Sequence, residues 1–248
     1  MNKSMNGPID LGLTEEEISG ITGFLGYGNP QRSVWFIGLE EGLGNSSDAE
    51  ARDNLKPRSQ FSPVMDLYDA HIRLQEDRKP MNIETKSGFV QEWHFMAKIM
   101  LFLNGCKDWS DRGPNQKAIL AKDYIRFKLG RAGSDTFMTE LSPIPRKHTA
   151  DLSWMDAFRC ADCRLKEKIE NRTKQLQGLL DESAPSRVIC YGKRAADRFA
   201  SLLGIKKWHP INGRISASDD RRCLLLPFFG QAQMKDSDIQ TLVQNGLL

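Results

Sequence analysis

The chain has 248 residues, enough to bury a substantial core in one large domain or two small ones. We expect a single domain over residues 1–248, with a loose N-terminus over 1–12. The formal net charge of +3 is only mildly basic, so a nucleic-acid partner has to be bound by a local basic patch rather than by a global field. Because no apolar run approaches the roughly 18 residues of a membrane span, we expect no contact with a membrane.

The five cysteines are irregularly spaced and odd in number. We find no signal-peptide pattern, and together these features favour a reducing compartment, so we expect a cytoplasmic protein. Cys160 and Cys163 form a lone CxxC motif, and no second pair or nearby histidine completes a four-coordinate site. We therefore expect neither a metal nor a cofactor.

Turn signals and apolar periodicity predict helices alternating with strands. Thr14 and Glu17 form a capping-box pattern that opens a helix, which Gly26 and Gly28 are expected to end. The short apolar run at 34–37 predicts the first strand. The remaining predicted elements are a surface loop at 42–60, helices at 61–74, 91–103 and 155–180, strands at 136–139, 187–192 and 223–229, and helices starting near 193 and 236. This alternation predicts an α/β fold with three layers, in which helices cover both faces of a central, mostly parallel four-stranded sheet.

Two adjacent carboxylates, Glu40 and Glu41, follow the first strand in a Gly-rich turn. Ligands of open α/β sheets collect at the carboxyl ends of the strands, so this turn is a candidate site, although a solvated acidic loop is the alternative. A nucleotide site is disfavoured, since the glycine spacing matches no phosphate-binding motif and two carboxylates repel phosphate.

A further carboxylate, Glu140, ends the second strand and precedes a proline-containing loop with the basic cluster Arg146, Lys147 and His148. A helix cap or an ion pair with Arg146 or Lys147 is the alternative role for Glu140. We interpret His94, inside the apolar helix at 91–103, as a packing residue.

The succession of four motifs resembles the uracil-DNA glycosylase superfamily. The motifs are the turn at 38–42, the strand end at 138–143, the pattern Pro-x-x-Val-Ile-x-x-Gly-x-x-Ala at 185–195 and an exit loop at 228–235. The likeness covers roughly residues 32–245 and implies a DNA glycosylase that flips a base out of the helix. No lysine stands at a nucleophile position, so we expect a monofunctional enzyme that leaves an abasic site. DNA is the expected partner, and we expect a monomer.

The resemblance assigns the first motif to catalysis. Glu40 falls where several branches keep the residue that handles the attacking water, and Glu41 replaces the usual proline. Hydrolysis of an N-glycosidic bond builds positive charge on the sugar, which a fixed anion stabilises while it deprotonates water. We therefore expect Glu40 to be catalytic, with Glu41 as the second choice.

At the second motif the family keeps an asparagine that reads uracil, and this chain has Glu140. An ionised carboxylate accepts from the amino group of cytosine and repels the carbonyl of uracil, so we expect a modified cytosine-type base. Such bases occur in some bacteriophage genomes, which makes antiviral defence one biological setting. The alternatives are repair of deaminated or damaged bases and a non-catalytic module that binds modified DNA.

The last motif lacks the family's histidine, so support for the departing base would fall to Gln231, Gln233 or backbone N–H groups, and Gly230 leaves room for a bulky base. Met234 lies where the family keeps an apolar wedge, with a core position as the alternative. Phe61, Tyr68 and Phe89 are candidate stacking rings. The implied base-binding residues are Gly38, Leu39, Glu140, Ser142, Gly230 and Gln231; the implied DNA-binding residues are Arg146, Lys147, His148, Lys193, Gln233, Met234 and Lys235.

Overall fold

A computed structural model describes residues 13–41, 48–75, 90–106, 112–144 and 165–248. The helices are α1 (Glu15–Gly23), α2 (Asp48–Arg58), α3 (Leu67–Gln75), α4 (Gln91–Leu103), α5 (Pro114–Phe127), α6 (Leu165–Ser183), α7 (Ala196–Leu203) and α8 (Asp236–Gln244). The strands are β1 (Gly26–Gly28), β2 (Val34–Gly38), β3 (Val64–Met65), β4 (Thr136–Glu140), β5 (Arg187–Tyr191), β6 (His209–Pro210), β7 (Ser216–Ala217) and β8 (Cys223–Leu226). A short 3₁₀ turn, Lys193–Ala195, joins β5 to α7.

Within the described residues the strands form one sheet in the order β3-β1-β4-β2-β5-β8-β7-β6. The α/β class is confirmed. The four predicted strands are the central ones, and β2 is parallel to both β4 and β5, while β5 is parallel to β8. The predicted strand number is wrong, because four shorter strands extend the sheet and β1, β6 and β7 make antiparallel pairs. Strands of two or three residues are too short to show an alternating pattern.

Alternate residues of the central strands face two separate cores. Phe36 and Ile189 point into a first core that they share with residues of α3, α4, α5 and α8. Trp35 and Val188 point to the opposite face, into a second core built with α6 and α7. Helices therefore cover both faces of the sheet, as the period of two in a strand requires when both sides are buried.

The N-terminal capping box is present. The backbone N–H of Glu17 donates to Thr14 Oγ1 at 3.1 Å, and the backbone N–H of Thr14 donates to Glu17 Oε2 at 2.8 Å. The two glycines expected to end this helix instead form β1. Gly28 has a φ of 95°, and a Cβ there would lie 2.3 Å from the carbonyl oxygen of Thr136, so only glycine allows this close strand pairing.

Two helices lie where the sequence predicted none, and a third begins late. α2 lies within the predicted loop at 42–60, and its strongly polar composition carries no apolar stripe that would have revealed it. α5 lies in a segment taken as a connection and begins with Pro114 in its first turn, a position that tolerates proline. α3 begins at residue 67 rather than 61. None of the described helices is long and apolar enough to cross a membrane.

Arg172 of α6 fastens this helix to the edge of the sheet where β4 ends. The side chain is 3% exposed, and it donates to the carbonyl oxygens of Phe24 at 2.9 Å, Leu25 at 3.3 Å and Leu141 at 3.4 Å. It also donates to Thr139 Oγ1 at 3.3 Å. A planar guanidinium satisfies several buried acceptors at once, so three chain segments are held by one side chain.

Candidate functional site

The candidate site lies where β2 and β4 end side by side. Gly38 pairs with Glu140 in the parallel register. Pairing continues beyond the strands, since Leu141 N–H donates to Gly38 O at 2.9 Å and Ser142 N–H donates to Leu39 O at 2.8 Å. The two following loops are therefore held together at one edge of the sheet, where the predicted carboxylates lie.

The carboxyl group of Glu140 packs over the backbone of Gly38. Tyr191, at the end of β5, donates its hydroxyl hydrogen to Glu140 Oε1 at 2.7 Å. A Cβ on Gly38 would lie 2.0 Å from Glu140 Oε2 and 2.5 Å from Tyr191 Oη, so a larger residue here would have to displace the ends of both side chains. Glu140 Oε2 is buried and makes no hydrogen bond to any described residue. One oxygen is thus fixed by Tyr191, and the other has no internal partner in the part of the chain that the structure describes.

Burial raises the pKa of Glu140 to about 8. The Tyr191 hydrogen bond and Arg172 oppose this increase in pKa, whereas the charges of Glu41 and Glu40 add to it. The two glutamates after β2 therefore lie close enough to Glu140 to influence its ionisation. The neutral acid is therefore favoured over the carboxylate at pH 7. This corrects the assumption of an ionised Glu140, because a neutral carboxyl group also donates a hydrogen bond and does not repel a carbonyl.

Glu41 is in the opposite electrostatic state. Arg58 of α2 forms an ion pair with it, with 2.6 Å between Nη2 and Oε2, and Tyr27 of β1 donates to its Oε1 at 2.9 Å. Burial raises the pKa of Glu41, but Arg58 and the hydrogen bonds outweigh it and hold the pKa below its ordinary value. A carboxylate that is already neutralised by a guanidinium is a weak general base, so the geometry favours Glu40 as the catalytic candidate.

Glu40 lies two residues beyond Gly38, and both of its carboxylate oxygens are buried. Its charge acts on Glu140. Leu39, the residue between Gly38 and Glu40, packs against the second core. Its side chain therefore lies away from the carboxyl groups of Glu40 and Glu140. Ser142 is buried, and its hydroxyl donates to Ile144 O at 3.3 Å within its own turn. Leu39 and Ser142 are thus better explained by folding than by the implied base contacts.

Glu92 and Phe228 are two of the residues near the site that the sequence analysis did not single out. A Cβ on Gly230 would lie 2.2 Å from Glu92 Oε1 and 2.6 Å from Phe228 Cε1. Glu92, in the first turn of α4, also acts on Tyr191 and raises its pKa further above the effect of burial. Gly230 therefore accommodates two side chains of this chain, and that corrects the view that it leaves space for a bulky base. No sequence motif marks a glutamate in a helical first turn as a site residue.

Phe228 is a half-buried ring that packs against the first core and lies near Tyr191. The rings of Tyr191 and Phe229 stack at 4.6 Å with 11° between their planes, and Phe228 lies at 6.4 Å from Tyr191. Of the rings expected to stack on a base, Phe61 is buried against Phe24, and Tyr68 is covered by the guanidinium of Arg131 at 4.7 Å. Phe89 lies outside the described residues.

His71 of α3 is a third residue that no motif indicated. The ring of His71 packs edge-to-face against the ring of Trp93, with 4.8 Å between the ring centroids. Burial lowers the pKa of His71 to about 4, and the charges of Glu41 and Arg58 act on it in opposite directions. His71 is therefore neutral at pH 7 beside the ion pair. Burial also lowers the pKa of His94 to about 4, which agrees with a packing role.

The exit loop after β8 is strained and anchored. Gln231 and Ala232 have φ of 54° and 55°, a left-handed conformation that costs a non-glycine residue on the order of 1 kcal/mol. Gln233 N–H closes the turn onto Gly230 O at 3.2 Å. Arg214 contacts the carbonyl oxygen of Gln233 and pairs with Asp238 of α8 at 2.7 Å. Gln231, Gln233 and Lys235 are exposed, so they remain available to a ligand.

Met234 does not fit its implied role as a wedge. It is 2% exposed and belongs to the first core, which is the alternative that the sequence left open. Lys193 is exposed and donates to Gly213 O at 3.2 Å. The predicted basic cluster Arg146, Lys147 and His148 lies outside the described residues, as does the CxxC motif. Within the described ranges no three His, Cys, Asp or Glu side chains form a group that could hold a metal ion.

The fold and the site define an α/β protein with a cluster of carboxyl groups at the carboxyl ends of its central strands. No family model matches the chain, and no curated protein and no solved structure matches it either. The resemblance to the uracil-DNA glycosylase superfamily therefore rests on the motif residues and on the order of the elements.

Proposed function

We propose that the protein is a monofunctional DNA N-glycosylase, similar to the uracil-DNA glycosylase superfamily, that hydrolyses the bond between deoxyribose and a flipped cytosine-type base. One observation carries this proposal: Glu40 and Glu140 come from adjacent strand ends and act on each other electrostatically. Glycosidic hydrolysis needs different groups at the sugar and at the base, and two carboxyl groups in different environments supply them.

The position of the motifs supports the same function. The first, second and fourth motifs follow β2, β4 and β8, and the third contains β5 and the turn after it. These four strands are mutually parallel, so their carboxyl ends lie along one edge of the sheet. Ligands of open parallel sheets bind along this edge.

Each group has a separate task. Glu40 stabilises the positive charge that develops on the sugar and accepts a proton from the attacking water. The pair of Glu41 and Arg58 fixes the loop that carries Glu40, since it ties the loop to α2 and β1. Phe228 offers a half-buried ring on which the flipped base stacks. Phosphates are contacted by exposed basic residues such as Lys193 and Lys235.

The neutral state of Glu140 changes the reason for preferring cytosine. A protonated Oε2 donates to N3 of cytosine, which is an acceptor, whereas N3 of uracil carries a hydrogen. The 4-carbonyl of uracil also accepts from a neutral carboxyl group. Release of a deaminated base, as in DNA repair, is therefore the second candidate function. Activity on modified cytosines would suit cytoplasmic defence against bacteriophages with modified genomes.

The test is mass spectrometry of the free bases released from DNAs that carry cytosine, 5-hydroxymethylcytosine or uracil. We expect release of a cytosine-type base by the parent protein. Glu40→Gln should lower the release rate by about 10²- to 10⁴-fold while DNA affinity is unchanged, because the amide keeps the shape and loses the charge. Glu182→Gln, an exposed change on α6, is the matched control and should keep the parent rate.

Three outcomes would contradict this proposal in different ways. DNA binding without release of any base would indicate the non-catalytic module. Release that is unchanged in Glu40→Gln would remove Glu40 from the mechanism. Faster release of uracil than of the cytosine bases would favour the repair function.

A further inference from the structure

We infer that Glu140 is a catalytic residue, the general acid that transfers the proton on its Oε2 to the departing base. This inference rests on the proposed function and deepens it. The family resemblance implies only that Glu140 hydrogen-bonds the edge of the base. The present inference adds that Glu140 takes part in bond cleavage.

The hydrogen bonds of Glu140 assign its proton to one atom. Tyr191 donates to Oε1, so Oε1 is an acceptor and the proton of the neutral acid resides on Oε2. Oε2 is buried and has no hydrogen-bond partner among the described residues. It lies against the bare Cα of Gly38, where any larger residue would displace it. In the neutral acid the proton therefore lies on Oε2, and none of the described residues accepts a hydrogen bond from that atom.

The exit loop explains why such a proton is needed. When the glycosidic bond breaks, the base keeps the electron pair, and a cytosine anion is a poor leaving group. The loop after β8 contains Gln231 and Gln233 but no histidine to stabilise that anion. Amide side chains donate hydrogen bonds but transfer no proton at neutral pH. The neutral carboxyl group of Glu140, at the end of β4 along the same edge of the sheet, can supply the missing proton.

The proposed step balances in atoms and charge. The bond between C1′ and N1 breaks, and its electron pair moves onto the base. The Oε2 proton of Glu140 forms a bond to N3, so cytosine leaves as a neutral tautomer. Water bonds to C1′ through its oxygen, and its released proton goes to Glu40. Glu140 is left ionised and Glu40 protonated, and proton exchange with solvent restores both.

Several groups set the protonation of Glu140. Burial favours the neutral acid, and the negative charges on the loop after β2 add to this effect. Arg172 and the Tyr191 hydroxyl favour the carboxylate. The groups that face Glu140 are Glu40 and Glu41 after β2, Arg172 on α6 and Tyr191 on β5, and Glu92 on α4 acts on Tyr191. With a pKa of about 8, the proton is present at neutral pH and lost as the pH rises further.

The experiment is single-turnover base release from cytosine-type DNA between about pH 6 and pH 10. The parent rate should fall above about pH 8, tenfold for each further pH unit. Glu140→Gln should reduce the rate by about 100-fold or more at pH 7 and abolish this alkaline decline. Tyr191→Phe should move the decline to higher pH, because it removes a hydrogen bond that favours the carboxylate. Glu182→Gln should retain the parent profile.

A second substrate distinguishes proton transfer by Glu140 from mere recognition of the base by Glu140. The anion of 5-fluorocytosine is more stable, so its release depends less on a proton, and the loss of rate in Glu140→Gln should shrink on this base. An equal loss on both bases, or an alkaline decline that persists in Glu140→Gln, would overturn the inference and leave the proposed function standing. If the parent releases no base from any DNA, the proposed function and the inference both fail. Circular dichroism of each variant checks that it is folded.

Discussion

Glu41, in the loop after β2, and Glu140, at the end of the neighbouring β4, are both half-buried at the same sheet edge and yet have opposite pKa shifts. Glu41 has a guanidinium at 2.6 Å and a hydroxyl at 2.9 Å, and its pKa lies below the ordinary value. Glu140 has one hydroxyl at 2.7 Å and negative neighbours, and its pKa rises to about 8.

The partners of a buried carboxyl group decide its charge. Burial opposes ionisation at both positions, and only the site with a close cation overcomes it. Glu41 thus stays ionised and stabilises the loop through its ion pair with Arg58, while Glu140 favours the protonated state. Groups whose environments drive their pKa values apart can serve as acid and base in one site.

Removal of the Arg58 cation should have the largest effect on the free energy of unfolding, because it leaves Glu41, like Glu140, without a close cation. We expect Arg58→Met to lower the free energy of unfolding by about 3 kcal/mol at pH 7, since a partly buried carboxylate loses its counter-charge. The parent gains stability from Glu41 above its unfolded-state pKa and loses it as pH falls through the lower folded pKa, so the deficit should shrink in acid. Urea unfolding at several pH values measures this.

The control for that change is the double variant Arg58→Met with Glu41→Gln. Neutralising Glu41 removes the uncompensated charge, so at least half of the lost stability should return at pH 7. A double variant no more stable than Arg58→Met would show that packing of Arg58, rather than its charge, stabilises the loop.

A smaller effect of opposite sign is expected for Glu140→Gln. The folded-state pKa of Glu140 is raised to about 8, so its contribution to stability is complete below the unfolded-state pKa and is lost as pH rises towards 8. The amide mimics the neutral acid at every pH. We expect the variant to match the parent near pH 4 and to be the more stable protein at pH 9, by roughly 2 kcal/mol in free energy of unfolding once solvent screening of this half-buried group reduces the full linkage value. Equal stability curves would mean that Glu140 ionises without a penalty in the folded protein.

The smallest effect is expected at Gly38. A methyl group there meets the far ends of Glu140 and Tyr191, which can move, so Gly38→Ala should cost about 1–2 kcal/mol in free energy of unfolding. It should also shift the pH dependence of base release, because Glu140 is displaced from Tyr191. Gly178→Ala is the matched control: it lies in α6 with open space around it and should gain about 0.5–1 kcal/mol. If Gly38→Ala keeps both the parent's stability and the parent's pH dependence of base release, close packing against Gly38 does not position Glu140.

The sequence predicted the elements with strong local signals. The four central strands, α4 and the capping box of α1 follow from apolar runs and cap chemistry, and the neighbourhood of Glu40 and Glu140 follows from strand ends at one edge. α2 was missed because polar composition alone does not distinguish a helix from a loop.

The partners that set the charges could not be predicted. Arg58 and Arg172 reach the site from helices remote in sequence, and no spacing rule links them to Glu41 or Glu140. The assumption of an ionised Glu140 was wrong for this reason, since a pKa depends on burial and on neighbours that only the folded chain brings together.

The anchoring of the β4 end by Arg172 has a practical consequence for protein engineering. Arg172 binds the side chain of Thr139 and the carbonyl oxygen of Leu141, the two neighbours of Glu140, and none of these contacts involves the side chain at residue 140. Substitutions at residue 140 would therefore change the side chain on a backbone that Arg172 still anchors, so any change in activity of such variants can be assigned to the side chain itself.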